Sequence, residues 1–143
     1  QNVVPGLSVA IFEGDFEETA ALAQAQPART GTADTFRIPA DAPNERFGLR
    51  FTGYIDIPQD GVYTFYTASD DGSVLLIGET PVMDNYGQHG HSENLGAINL
   101  AKGRHAITVL YFQGPVDKSL EVSYEGPGVE RRAIPAEVLW RGE

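Results

Sequence analysis

Apolar residues recur at every second position through most of this chain, the period of strands that turn one face to a core. The clearest run is 47–57, where Phe47, Leu49, Phe51, Ile55 and Ile57 share one face and Arg50, Thr52, Tyr54 and Asp56 share the other. It predicts a strand central to its sheet. Leu7 to Phe12, with Leu7, Val9 and Ile11 against Ser8, Ala10 and Phe12, predicts a first strand with both faces partly covered and paired with a strand far along the chain. Val62 to Ala68 sets Tyr63 and Phe65 against Thr64 and Tyr66, and Ser73 to Ile77 is a short apolar run. Leu95 to Leu100, His105 to Phe112 and Ser119 to Tyr124 complete the strand-like segments. The tail, with Ile134, Val138, Leu139 and Trp140, is expected to pack near the first strand.

Turn residues punctuate these runs. Pro58-Gln59-Asp60-Gly61 joins a corner with preset φ to one that tolerates positive φ, which predicts a hairpin between the flanking strands. Gly78-Glu79 and Ala101-Lys102-Gly103-Arg104 predict two more. Residues 16–26 have helix-forming composition and stop before Pro27, but only Phe16 and Leu22 are large and apolar, so at most a short helix is expected. Ala28 to Asn44 reads as a long connection. The sum is a single all-β domain over 1–143, an antiparallel sandwich or barrel of about eight to ten short strands with long rim loops.

Composition narrows the partners. Ten Lys and Arg stand against 20 Asp and Glu, a formal net charge of -10. That acidity argues against nucleic acid and anionic membrane surfaces, where basic patches supply the affinity. No apolar run reaches the roughly 18 residues of a membrane span, so no direct membrane insertion is expected. Cysteine is absent, which leaves oxygen and imidazole as the donors for any metal.

Candidate chemistry gathers at Ser69-Asp70-Asp71-Gly72-Ser73, two adjacent carboxylates on a turn between apolar strands. Such a turn suits a cation, a polar ligand or a set of backbone donors; an Asx-type turn with locally satisfied side chains is the alternative. A Ca²⁺ ion takes six to eight oxygens, so further donors must come from elsewhere, and the loop at 113–118 is the natural supplier. His89 and His91, two residues apart in a polar loop, suit either zinc with a carboxylate or plain solvation. Adjacent carboxylates cannot readily straddle a glycosidic bond at the roughly 5–9.5 Å that acid/base pairs need. No Gly-x-Ser-x-Gly nucleophile elbow is present. The chain therefore reads as a non-enzyme.

Several segments in order, Arg50-Phe51-Thr52-Gly53-Tyr54, Asp60-Gly61-Val62-Tyr63-Thr64-Phe65, Ser69-Asp70-Asp71-Gly72-Ser73, Asp84-Asn85-Tyr86, Ala101-Lys102-Gly103 and Tyr111-Phe112, resemble the protective-antigen-fourteen (PA-14) domain family. The resemblance implies a β-sandwich or barrel that serves as a non-catalytic module of secreted or cell-surface proteins, including glycoside hydrolases and adhesins, in many cases bacterial. It implies a calcium-dependent carbohydrate-binding module, with Asp70 and Asp71 as metal ligands and sugar hydroxyls completing the shell. Lectin-like members tend to place an Asn in the loop that here runs Gln113-Gly114-Pro115-Val116-Asp117-Lys118, so Gln113 or Asp117 would substitute, or Lys118 would pair with an aspartate. Asp84, Asn85 and Tyr86, with His89 beyond them, match a segment beside the family's ligand site; local packing of Tyr86 and a turn cap by Asp84 form the alternative. The expected partners are a glycan or polysaccharide and neighbouring domains of a larger chain. A structural or protein-interaction accessory domain without its own ligand is the second reading.

Overall fold

The computed structural model describes residues 2–14, 26–40, 42–43, 46–70, 72–85, 92–113 and 119–142. Twelve strands run through them: β1 (Val3–Pro5), β2 (Leu7–Glu13), β3 (Arg29–Ala33), β4 (Phe47–Ile57), β5 (Gly61–Asp70), β6 (Ser73–Ile77), β7 (Thr80–Asn85), β8 (Ser92–Leu100), β9 (Gly103–Gln113), β10 (Ser119–Gly126), β11 (Val129–Ala133) and β12 (Leu139–Gly142). A 3-10 turn covers Ala136–Val138. The expected count of eight to ten falls short because β1, β3, β11 and β12 are brief and carry few large apolar residues. The helix expected over 16–26 lies, but for Gln26, outside the described residues.

The strands form two antiparallel sheets, and they do not close into a barrel. One sheet runs β1-β12-β4-β9-β6-β7, with β2 and β3 joined through the β2–β4 pairing; the other runs β11-β10-β5-β8. As the alternation predicts, β4 is central. It pairs with β9 along its whole length, from Phe47 opposite Gln113 to Ile57 opposite Gly103. Its other edge is shared: β2 covers Phe47 to Thr52 and β12 covers Tyr54 and Ile55. Gly53 sits where the neighbour changes, and a Cβ there would overlap the Trp140 carbonyl oxygen.

Two pairing expectations are corrected. The first strand finds its partners in β3 and β4, in the first half of the chain, and it is β1 that pairs with the returning tail, Val3 opposite Gly142. Of the three expected hairpins only β6–β7 is one. The connections β4–β5 and β8–β9 cross from one sheet to the other, as does the acidic turn between β5 and β6. A reversing turn fixes chain direction but not whether the next strand lies beside the last one or across the core from it. The unanticipated hairpin is β10–β11, closed at Gly126 opposite Val129.

Between the sheets lies an aromatic-rich core. Phe47, Leu49, Phe51 and Ile55 of β4 meet Tyr63 and Phe65 of β5 and Val109 and Tyr111 of β9, all with no exposed surface. The opposite face of the larger sheet carries a second buried cluster of Ala10, Phe12, Val74, Leu110 and Phe112, with the Arg50 guanidinium 5.1 Å from the centre of the Phe12 ring. The first strand is thus covered on both faces except at Ser8, in keeping with Leu7, Val9 and Ile11 on one side and Ala10 and Phe12 on the other.

Candidate functional site at the turn between β5 and β6

The crossing from β5 to β6 sets the position of the acidic turn. At the end of β5, Asp70 lies opposite Ser119 of β10, and Ser69 lies opposite Ser92 of β8. At the start of β6, Ser73 lies opposite Asn85 of β7 and Tyr111 of β9. The Phe112 amide donates to the Gly72 carbonyl at 3.0 Å, tying the turn to the last residues of β9. The register therefore puts the ends of three connections, 70–73, 85–92 and 113–119, at one end of the sandwich.

Beneath them the core changes character. Among the described residues the fully buried polar side chains are Thr67, Ser69, Ser73 and Gln113, and all four lie at this end. Polar groups are costly to bury unless they are paired, and the hydroxyls are paired in series. Ser73 Oγ donates to Thr67 Oγ1 at 3.0 Å, Ser69 Oγ lies 2.8 Å from Ser73 Oγ, and Thr67 Oγ1 lies 3.8 Å from the Met83 sulfur. Since each hydroxyl has one proton, the order runs from Ser69 to Ser73 to Thr67 to Met83. Tyr111 Oη donates to the Asp70 carbonyl at 2.5 Å and lies 3.3 Å from Gln113 Oε1. Gln113 Nε2 is buried without a partner among the described residues.

Asp70, half-buried, and the buried Gln113 thus occupy one end of the fold, joined through Tyr111. Asp84 stands one residue before the end of β7 with an exposed side chain. Its carbonyl accepts from Asn94 Nδ2 at 2.8 Å, and Asn94 Oδ1 accepts from the Leu95 amide at 2.9 Å. The backbone of Asn85 closes β7 opposite Ser73. Asp71, Tyr86, His89, His91 and Asp117 lie outside the described residues. Among those described, no three His, Asp or Glu side chains come together as a metal cluster. The residues not anticipated are Thr67 and Tyr111. Their signal is legible afterwards: Thr67 and Ser69 continue the inward face of Tyr63 and Phe65, and a hydroxyl on a core face needs a partner there.

Ca²⁺ coordination needs oxygen donors, and among the described residues this end supplies the half-buried Asp70 and the buried Gln113 side-chain amide. A carboxylate and a side-chain amide are residue types that suit such an ion. Among the described residues, two grooves lie elsewhere. One of about 700 Å³ follows β11 past Tyr124, Arg132 and Glu137, and one of about 500 Å³ lies beside it, between Phe36, Arg37 and Val122. On the outer face of the smaller sheet, the Arg131 guanidinium stands 3.7 Å from the centre of the Tyr66 ring and pairs with Glu93 at 2.5 Å. The Tyr66 hydroxyl donates to Glu125, and that bond, followed by burial, raises the Tyr66 pKa above its ordinary value. Burial likewise raises that of Tyr124. These groups latch β11, β10, β5 and β8 together across the sheet.

With this architecture and its rim in view, a PA14 domain model matches residues 4–137. The chain belongs to the PA14 domain family. Two curated relatives are each 28% identical: the anti-sigma-I factor RsgI3 of Acetivibrio thermocellus over 97 residues, covering 67% of this chain and 15% of that protein, and a beta-hexosaminidase of Porphyromonas gingivalis over 116 residues, covering 75% and 14%. The PA14 domain thus spans about one-seventh of either relative's length. Among solved structures, an anti-sigma factor domain-containing protein superposes with a TM-score of 0.82 at 23% identity, covering 99% of this chain and 49% of the other. The PA14 sugar-binding domain of an RTX adhesin does so with 0.78 at 16%, covering 97% and 99%. The Epithelial Adhesin 9 A domain of Candida glabrata, solved in complex with Galb1-4GlcNAc, gives 0.74 at 12%, covering 97% and 90%. At these identities the likeness is one of fold.

Proposed function

We propose that this PA14 domain is a non-catalytic carbohydrate-binding module that works outside the cell or at its surface as part of a larger chain. In this reading it binds sugar hydroxyls through a Ca²⁺ ion at the β5–β6 end. Asp70 and Asp71 supply carboxylates, Gln113 and Asp117 contribute from the end of β9 and the loop after it, and Asp84, Asn85, Tyr86 and His89 form the neighbouring ligand wall. When bound, the ion supplies a site at which vicinal hydroxyls replace water. The protein holds the Asp70 backbone through Tyr111, fixes the turn through the Phe112 amide and keeps the floor polar.

The observation that carries this reading is the burial of four polar side chains under the acidic turn. The three hydroxyls among them bond in series, but Gln113 Nε2 is buried with no partner among the described residues, a cost that packing alone does not explain. The sugar-binding relatives with the same fold support the ligand class. A second reading, an accessory domain packed on its neighbours without a ligand, draws on the small share of each curated relative that this domain spans.

A glycan array probed with the domain in millimolar Ca²⁺ and again in EDTA separates the two. Binding to one class of glycan in calcium, lost in EDTA and lost in Asp70→Ala and Asp71→Ala, is expected. Binding that ignores EDTA and both substitutions overturns the calcium site, and a blank array in both conditions favours the accessory reading.

A further inference from the structure

The unpaired Gln113 amide and the geometry around Tyr111 fix the direction of a hydrogen-bond relay under the acidic turn. Tyr111 Oη has one proton and is 2.5 Å from the Asp70 carbonyl oxygen. A carbonyl only accepts, so the proton lies in that bond. Gln113 Oε1, 3.3 Å from the same hydroxyl, also only accepts. No hydrogen remains to stand between these two oxygens. The distance agrees, being beyond the range of O–H···O bonds (about 2.5–3.0 Å) and close to that of N–H···O bonds (about 2.7–3.2 Å). Meanwhile Nε2, with its two protons, is left buried and unpartnered. The two ends of a side-chain amide are nearly alike in shape, and their assignment follows from the partners available.

We propose that the Gln113 amide stands reversed, with Nε2–H donating to Tyr111 Oη and Oε1 occupying the buried position where Nε2 finds no acceptor among the described residues. The relay then runs from Gln113 Nε2–H to Tyr111 Oη and from Tyr111 O–H to the Asp70 carbonyl. Gln113 has no exposed surface, so its free carbonyl oxygen is a buried acceptor at the end of the fold that carries Asp70. Resting on the calcium reading above, this makes Oε1 a neutral oxygen donor to the ion. Tyr111 becomes a positioning residue: it touches no ligand, but its hydroxyl holds both the amide and the Asp70 peptide in their directions.

The test is made on isotope-labelled domain, first without metal. In the wild type, one Gln113 side-chain amide proton is bonded to Tyr111, so Tyr111→Phe moves that resonance upfield and speeds its exchange while its geminal partner stays put. Amide protons indifferent to Tyr111→Phe overturn the reversed orientation. Calcium added to the wild type is then expected to shift the Gln113 side-chain carbonyl carbon. By calorimetry, Tyr111→Phe should weaken calcium binding roughly 10–100-fold, the range for removing supporting shells of metal sites, Gln113→Leu should weaken it at least as much, and Asp70→Ala should abolish it. Calcium bound equally by the wild type, Tyr111→Phe and Gln113→Leu overturns the inference and leaves the calcium reading standing. A wild type that binds no calcium, yet shows the expected proton behaviour, overturns the calcium reading and the donor role of Oε1 and leaves the relay.

Discussion

Gly96 shows how closely the sheets meet at single residues. It lies on β8, opposite Phe65 of β5, and a Cβ built on it would overlap the Val82 carbonyl oxygen of β7 and press on the Met83 side chain at 3.0 Å. Backbone cannot withdraw as a flexible side chain can, so Gly96→Ala is expected to destabilise the domain by about 1–3 kcal/mol, the usual cost of overpacking. Gly31 on β3 is the control: nothing lies within 4 Å of its Cβ position and its φ is ordinary. Gly31→Ala should be neutral or stabilising by up to about 1 kcal/mol through the unfolded chain. Urea unfolding of both variants measures the difference, and equal effects would refute the close approach of β7 and β8. Neither glycine stands out in the sequence, because the atoms that decide its role belong to residues distant in the fold.

At the scale of elements, strands were far more legible than their partners. Alternation placed Phe47, Leu49, Phe51, Ile55 and Ile57 on the buried face of β4, and each is at most 2% exposed. It was silent on pairing, so turns at 58–61 and 101–104 read as hairpins although they cross between sheets. Short strands such as β12, too brief for Leu139 and Trp140 to set up an alternation, depend on contacts that no local pattern announces. Trp140 Nε1 donates to Asp56 Oδ2 at 2.8 Å, Arg104 Nε donates to Asp56 Oδ1 at 3.0 Å, and the Arg104 guanidinium lies 5.2 Å from the centre of the Trp140 ring. Asp56 thus joins β4, β9 and β12 from one carboxylate. Because that side chain is 40% exposed, solvent screens part of the gain, and Asp56→Ala is expected to cost about 1–2 kcal/mol. The loss should appear as faster hydrogen exchange in β12 and β1 ahead of β4. Uniform exchange throughout the larger sheet would show that Asp56 does not hold the tail. The acidic turn was legible as an anomaly of charge, whereas its polar floor was not, since Thr67 and Ser73 acquire meaning only when β5 and β6 are seen to lie in opposite sheets.

For the whole molecule, charge decides how a calcium site must be tested. A net charge of -10 on 143 residues repels itself in the folded state, and any added salt relieves part of that repulsion. Stabilisation by calcium chloride alone therefore distinguishes nothing. Magnesium at matched ionic strength carries the same charge but demands near-octahedral geometry with shorter bonds and keeps its waters, so it reports screening without occupying a calcium shell. In about 0.15 M salt, where screening is already substantial, Ca²⁺ at a hundred times its dissociation constant should stabilise the native state by about 2.7 kcal/mol. For a domain of this size that is a rise in melting temperature of roughly 5–11 °C. Magnesium should give a small fraction of the rise, and Asp70→Ala should reduce the calcium response to the magnesium level. Equal shifts for the two cations would mean that calcium acts only on the general acidity of the surface. A calcium-specific shift that survives Asp70→Ala would mean that the ion binds away from the turn between β5 and β6, leaving the buried hydroxyls there with a structural task alone.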